Sequence, residues 1–280
     1  DAVGNEDEKE MFYLDFKIGK NHFSNFAFIK YDLSFFLKNN CSKYDGIIGV
    51  NVLKKLNWKF IKTDNKLFFS KDPFTYEGFN KPAVLQWAGN IPIVELNVND
   101  HNFLALLDTG HFGTILFPNY IYIKEFGFGG FYNLISGKGN PITTIAGIQK
   151  LSLKKAQIEN LSLGDYNLSG YEISLAEIKV PNIGNNIILE NDFIFNFLNS
   201  EIAFGANEKP PRYAKLPKIK ICKSETNKNQ IELCFFWKES ENKMLKLHDQ
   251  LIKIDEMDTE NIDEKQYCTI MDEINKNKYI

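Results

Sequence analysis

Arginine is all but absent from this sequence. Arg212 is the only one, so the 33 basic residues are almost all lysine. That removes nearly all bidentate guanidinium recognition of phosphate or carboxylate. The 33 basic and 36 acidic residues leave a net charge of −3, so no basic surplus marks a nucleic-acid surface. His22, His101 and His248 are spread without ligand spacing and read as surface residues. The four cysteines, Cys41, Cys222, Cys234 and Cys268, form no CxxC or Cys/His pattern. They read as isolated buried or partly buried thiols. No apolar run reaches the roughly 18 residues of a helical membrane span. No GxSxG elbow or cysteine-nucleophile motif is present. The first ten residues, DAVGNEDEKE, hold neither a Met nor a signal-like apolar stretch. The reading therefore expects a longer parent, cut at both ends.

What is there is apolar alternation. With 44% hydrophobic and 14% aromatic residues in 280, the chain can bury one large core or two to three small ones. Residues 12–36 alternate as strands about Gly19, with Phe12, Phe16, Phe23, Phe26 and Phe28 as expected core. Ile47-Ile48-Gly49 reads as a short strand, Val52 to Leu56 as one or two helical turns, and Trp58 to Phe69 as a hairpin turning at Asp64-Asn65. Pro73, Pro82 and Gly89 mark a linker. Residues 126–147 carry six glycines and one proline and read as exposed loops. Residues 187–204 read as strand, short helix, strand. Lys209-Pro210-Pro211 marks a second boundary before a smaller, more charged segment.

An internal repeat organises the first 207 residues. FKIGKNHFSNFAF, Phe16 to Phe28, resembles LSLGDYNLSGYEI, Leu161 to Ile173. Downstream, IIGVNVLKKLNW is set against IILENDFIFNFL, which places Glu190 opposite Gly49. Two copies of one sheet-rich lobe is the simplest account; chance likeness between β-rich stretches is the alternative. Asp108 lies 164 − 108 = 56 residues before Gly164. Its counterpart in the first copy falls 37 residues before Asp1, since 19 − 56 = −37. The first lobe is thus expected to lack its own acid-bearing hairpin.

The stretch Pro92 to Phe117 is the one from which chemistry can be read. Two apolar runs joined by a turn at Asn99-Asp100 deliver Asp108-Thr109-Gly110. Gly110 allows a tight turn after the acid. Thr109 offers a hydroxyl to a symmetric copy of the loop, and burial with a neighbouring carboxylate would tune a pair of acids. Alone, Asp-Thr-Gly arises by accident in about one chain of this length in twenty. A turn aspartate in a lobe without catalysis is the alternative reading. Asp45, Asp165 and Asp192 read as turn or cap residues, and His111 as a residue able to line a cleft.

With Leu106-Leu107-Asp108-Thr109-Gly110, Thr114, and a hydrophobic pair before glycine at Ile47-Ile48-Gly49, the chain resembles the pepsin and retropepsin superfamily of aspartic peptidases. Tyr44 to Phe60 looks like bacterial retropepsin-like proteins with two lobes in one chain. The segment Met244 to Asp255, MLKLHDQLIKID, resembles a stretch of PDZ domains, followed by a helix over Thr259 to Ile274. The resemblance implies a mostly β fold: two acid-protease β-barrel lobes, the first incomplete, then a small α+β PDZ-like domain. It implies a first-lobe remnant at 1–80, a linker at 81–91, a second lobe at 92–207 and the PDZ-like domain at 215–280. It further implies peptide-bond hydrolysis by an aspartate dyad without cofactor. Asp108 is then catalytic, Thr109, Gly110 and Thr114 support its loop, and residues 136–147 form a flap. The implied partners are a peptide or protein substrate and a peptide at the PDZ-like domain; the implied location is periplasmic or surface, in a bacterium. The competing function is a noncatalytic peptide-binding scaffold on the same lobes.

Overall fold

The structure, a computed structural model, describes residues 10–33, 41, 44–111, 113–121, 131–139, 142–144, 147–149, 152–205, 219–224, 226–238 and 246–277. It is mostly β. The chain opens with β1 (Met11–Ile18) and β2 (Asn21–Ile29), an antiparallel hairpin turning at Gly19, where φ is +56°. Phe16 stacks on Phe23 at 4.9 Å, and Phe26 and Phe28 meet Phe16 edge-on. Phe23 is buried and Phe12 is exposed, so the aromatic core expected here starts at Phe16. A one-turn helix, α1 (Val50–Leu53), leads into the hairpin β3 (Asn57–Ile61) and β4 (Lys66–Ser70), which turns at Asp64-Asn65 as expected. Ile47-Ile48-Gly49 is not a strand; it runs exposed into α1 and pairs with no strand among the described residues.

Within the expected linker, β5 (Ala83–Val84) and β6 (Gln86–Ala88) join two different sheets. Then come β7 (Ile91–Val98) and β8 (His101–Leu107). Asn99 and Asp100 both have positive φ, 47° and 69°, the two-residue turn that suits the twist of a hairpin. β9 (Ile115–Pro118), the short helix α2 (Asn119–Ile121) and β10 (Phe131–Gly139) follow, with a hairpin of β11 (Ile142–Thr144) and β12 (Gly147–Gln149). The flap expected at 136–147 therefore covers the end of β10 and most of this hairpin; residues 140, 141, 145 and 146 lie outside the described residues. β13 (Lys154–Ile158), β14 (Leu161–Leu163), β15 (Tyr166–Asn167), β16 (Glu172–Ala176) and β17 (Asn182–Ile183) complete this sheet region.

Residues 185–189 form α3 (Asn185–Leu189) where a strand was expected, ahead of β18 (Phe193–Asn196), a 3-10 turn and β19 (Glu201–Phe204). The order β4-β3-β18-β19-β5 makes a five-stranded sheet to which both halves contribute. Its centre carries a two-fold relation. Phe60 pairs with Phe193, Lys59 with Ile194 and Trp58 with Phe195, so each residue pairs with the mate of its neighbour across the Lys59–Ile194 pair. The mates are 193 − 58 = 135 residues apart, and so are the helix-starting glycines, 184 − 49 = 135. Gly49 (φ −78°, ψ 166°) and Gly184 (φ −88°, ψ 171°) adopt one conformation at the starts of α1 and α3.

This corrects the register read from sequence. Gly184, not Glu190, stands opposite Gly49, and Glu190 is the residue that ends α3. The upstream part of the repeat stands as read. Gly19 and Gly164 share φ near +55°, and Asn25 and Gly170, six residues later in each copy, are both left-handed. Between the left-handed and the helix-starting glycines the first half has ten more residues than the second, and Cys41 lies in that interval of the first half.

The chain ends with β20 (Ile219–Lys223), β21 (Ile231–Trp237), the short strands β22 (Gln250–Leu251), β23 (Lys253–Ile254) and β24 (Met257–Asp258), and α4 (Glu264–Asn277). Helix α4 starts five residues later than the expected Thr259. Tyr267, Ile270 and Ile274 face Ile221, Ile231, Leu233 and Phe236 at helical spacing. A disulfide joins Cys41 to Cys268 across 227 residues of sequence, which overturns the reading of four isolated thiols; Cys222 and Cys234 remain free. No helix among the described residues is long and apolar enough to cross a membrane.

Candidate active-site loop

Asp108 sits where two apolar strands part. β8 ends at Leu107 and β9 begins at Ile115. Between them lies β17, parallel to β8 (Asn182 opposite Leu106, Ile183 opposite Leu107) and antiparallel to β9 (Asn182 opposite Leu116, Ile183 opposite Ile115). A strand inserted between two sequence neighbours forces the connection 108–114 out of the sheet as a loop. The buried side chains of Leu107, Ile115 and Ile183 form its floor.

Main-chain bonds hold the loop to the start of α3. Asp108 N–H donates to Ile183 O (3.0 Å), Gly184 N–H to Thr114 O (2.6 Å), Asn185 N–H to His111 O (2.9 Å) and Asn186 N–H to Gly113 O (3.1 Å). The first N–H groups of a helix have no partner within it, so the loop carbonyls satisfy donors that the helix leaves open. Gly184 must be glycine. A Cβ there would lie 2.2 Å from Gly113 O and 2.7 Å from the His111 ring.

The carboxylate is fixed at both oxygens. Gly110 N–H donates to Asp108 Oδ1 (2.9 Å) and Asn182 Nδ2 to Asp108 Oδ2 (3.0 Å). Donors of this kind aimed at a carboxylate fix its rotamer. Asp108 is half-buried, whereas Thr109 and Gly110 are exposed. Thr114 is buried and donates its hydroxyl to Glu172 O on β16, anchoring the far end of the loop. The four residues singled out from sequence thus lie on one loop with different contacts: Asp108 bonded at both oxygens, Thr109 and Gly110 open to solvent, Thr114 as an internal tether.

Neither a protein-family model nor a curated protein matches the chain. Solved structures do. It is similar to the EIAV protease complexed with the inhibitor HBY-793, at 19% identity over 35% of this chain and 85% of that one, with a TM-score of 0.29. It is also similar to a retropepsin-like aspartic protease from Rickettsia conorii, at 10% identity over 43% of this chain and 86% of that one, with a TM-score of 0.31.

Asn182 is the site residue that the sequence reading missed. It lies 74 positions from Asp108 and comes from a strand that local pattern does not announce. The signal was its place two residues before Gly184, which became visible only with the corrected register. Its own Oδ1 is buried and has no hydrogen-bond partner among the described residues. His111, expected to line a cleft, packs its ring over Gly113 and against Gly184. Burial lowers its pKa from the usual imidazole range, and the nearby Asp108 charge opposes that shift. Burial raises the Glu190 pKa, opposed by Lys62. Among the described residues no group of three or more His, Cys, Asp or Glu side chains converges as metal ligands would.

Proposed function

We propose that this chain is the larger part of an aspartic endopeptidase, with Asp108 as one catalytic carboxylate and its partner on a segment upstream of Asp1. The two carboxylates share one proton and need neither metal nor organic cofactor. One accepts a proton from a water as that water's oxygen attacks the peptide carbonyl carbon. The other gives its proton to the carbonyl oxygen. Collapse of the tetrahedral intermediate breaks the C–N bond as the amine takes up a proton. In this scheme Gly110 N–H and Asn182 orient Asp108, Thr109 bonds the partner loop, and Thr114 tethers the loop base.

The observation that carries the reading is a difference between two-fold mates. Ile183 is 0% exposed, covered by the strands on either side of the acid loop; its mate Ile48 is 55% exposed. A second acid-bearing hairpin set against Ile47-Ile48-Gly49 covers that surface and supplies the missing carboxylate. We place residues 1–80 and 92–207 in two lobes joined by 81–91, and residues 215–280 in a PDZ-like domain. The substrate class is peptide or protein. The Cys41–Cys268 bond supports an oxidising, extracytoplasmic compartment.

Glutamate opposite Gly49 would favour a noncatalytic scaffold; the corrected register removes that argument, because Gly184 stands at the helix start of the second half. The test is a chain extended upstream through a second Asp-Thr/Ser-Gly. It is expected to cleave protein at acid pH in a pepstatin-sensitive manner and to lose that activity on Asp108→Asn. Activity that survives Asp108→Asn, or an extension without an acid-bearing turn, sinks the proposal. The 280-residue chain alone is expected to be silent.

A further inference from the structure

Besides the Cys41–Cys268 bond, the C-terminal segment joins the rest of the described chain along one strand. β10 pairs with β13 as far as Ser136, opposite Lys154. Its last three residues pair with β21 instead: Gly137 with Trp237, Lys138 with Phe236, Gly139 with Phe235. The handover is unbroken, since Gly137 N–H still donates to Leu153 O at 2.8 Å. Along β21, β20 occupies one side, with Ile219 opposite Phe236 and Lys223 opposite Ile231. The other side holds β22 at Ile231 and Glu232, then β10 from Phe235 to Trp237.

Two glycines allow this approach. A Cβ on Gly137 would lie 2.5 Å from the Phe235 ring. One on Gly139 would lie 2.1 Å from Cys234 O, and Gly139 holds φ +106°, which L side chains rarely adopt. Side chains seal the joint. Phe235 and Trp237 meet edge-on at 4.9 Å and share a cluster with Leu116, Leu153 and Ala176. The buried Lys155 ammonium stands 5.4 Å above the Trp237 ring. Leu116 lies on β9 directly opposite Asn182, the residue bonded to Asp108.

We infer that the C-terminal segment is a strand-addition clamp whose ligand is the chain's own β10, so that it fixes the root of hairpin β11–β12 and does not take up free peptide ends at that edge. Strand addition draws affinity from main-chain hydrogen bonds and specificity from what the side chains must avoid. Here the selective feature is a Gly-X-Gly spacing, because any side chain at either glycine position collides with Cys234 or Phe235. A peptide without that spacing cannot reach the edge even when it is vacant. The inference stands apart from the acid pair, because its readout is amide exchange and not proteolysis.

The test is hydrogen exchange on the 280-residue chain. In sub-denaturing urea the amides of Gly137–Gly139 and Phe235–Trp237 are expected to share one opening transition. Gly139→Val is expected to speed exchange of those amides and of β11–β12 by about tenfold or more, with β7, β8 and β16 unchanged. A synthetic peptide of residues 131–139 then restores protection to Phe235–Trp237 in the variant and leaves the wild type unaltered. Independent opening of the two strands in the wild type overturns the clamp and needs no variant. Protection of β21 by the peptide in the wild type overturns it too, because the edge is then open.

Discussion

The two halves carry the same device in different states of completion. In each, a glycine in extended conformation starts a short helix, and the strand after the helix enters the shared five-stranded sheet. In the second half that glycine is locked under the acid loop by Gly113 and His111. In the first half a Cβ at Gly49 would meet, among the described residues, only the Asn51 side chain, its Oδ1 at 2.8 Å. A glycine conserved in conformation yet free of its steric need marks a socket whose counterpart is absent from the described residues.

Alanine at the two glycines breaks the comparison most sharply. Both have negative φ, so backbone strain does not enter. Gly184→Ala drives a methyl into Gly113 O, which cannot yield without moving the loop. We expect a loss above about 4 kcal/mol, the range reached only by severe overpacking or backbone disruption. Gly49→Ala displaces the end of one side chain and is expected to cost less than about 1 kcal/mol. Urea melts of both variants read the difference; equal costs end the idea that only one socket is filled.

The paired isoleucines come next. Ile183→Ala removes a fully buried side chain from between β8 and β9 and is expected to cost about 3 kcal/mol. Ile48→Ala removes a half-exposed one and is expected to stay within about 0.5 kcal/mol. In a protein carrying the upstream hairpin, the two costs should converge. If Ile48→Ala stays neutral there, no hairpin docks on it.

Much of this arrangement is legible in the sequence alone. The turn at Asn99-Asp100 follows from residues that tolerate positive φ. The acid loop follows from apolar runs on either side of Asp-Thr-Gly, and the Gly19/Gly164 repeat from shared spacing about a left-handed glycine. What was missed depends on contacts distant in sequence. The register slipped by six residues because Ile47-Ile48 was matched to the apolar pair Ile188-Leu189; the deciding feature was the glycine that starts the helix. Asn182 reaches Asp108 only because β17 enters between β8 and β9. The Cys41–Cys268 bond and the β10–β21 pairing join segments that no local pattern links.

The disulfide sharpens the comparison from another side, since Cys41 lies in the interval that is ten residues longer in the first half. It ties that half to α4, while β10 ties the second half to β21. Cys41→Ser with Cys268→Ser is expected to cost about 2–3 kcal/mol by freeing a long loop in the unfolded chain. The loss should appear as faster exchange in α4 and in residues 44–49, with β10–β21 protection kept. If β10–β21 opens together with α4, the two ties are one cooperative unit and not two.

The smallest expected effect is a pH dependence confined to the second half. His111 has a folded-state pKa below its unfolded value, because burial disfavours the imidazolium more than Asp108 favours it. Between the two values the unfolded chain binds more protons than the folded one, so stability rises with pH across that window. Read downward, the contribution is complete above about pH 6.5, the unfolded value, and declines as pH falls toward the lower folded value. His111→Gln removes the titrating group and should flatten this part of the profile. The site of the effect is as informative as its size. Because Asn185 N–H bonds His111 O and the ring lies against Gly184, the amides of α3 and β17 should lose protection as pH drops through this window. Those of β1 and β2, which have no acid loop beside them among the described residues, should not. A fall shared equally by both hairpin systems would mean that the proton is taken up elsewhere, and that the loop around Asp108 is not the pH-sensitive difference between the halves.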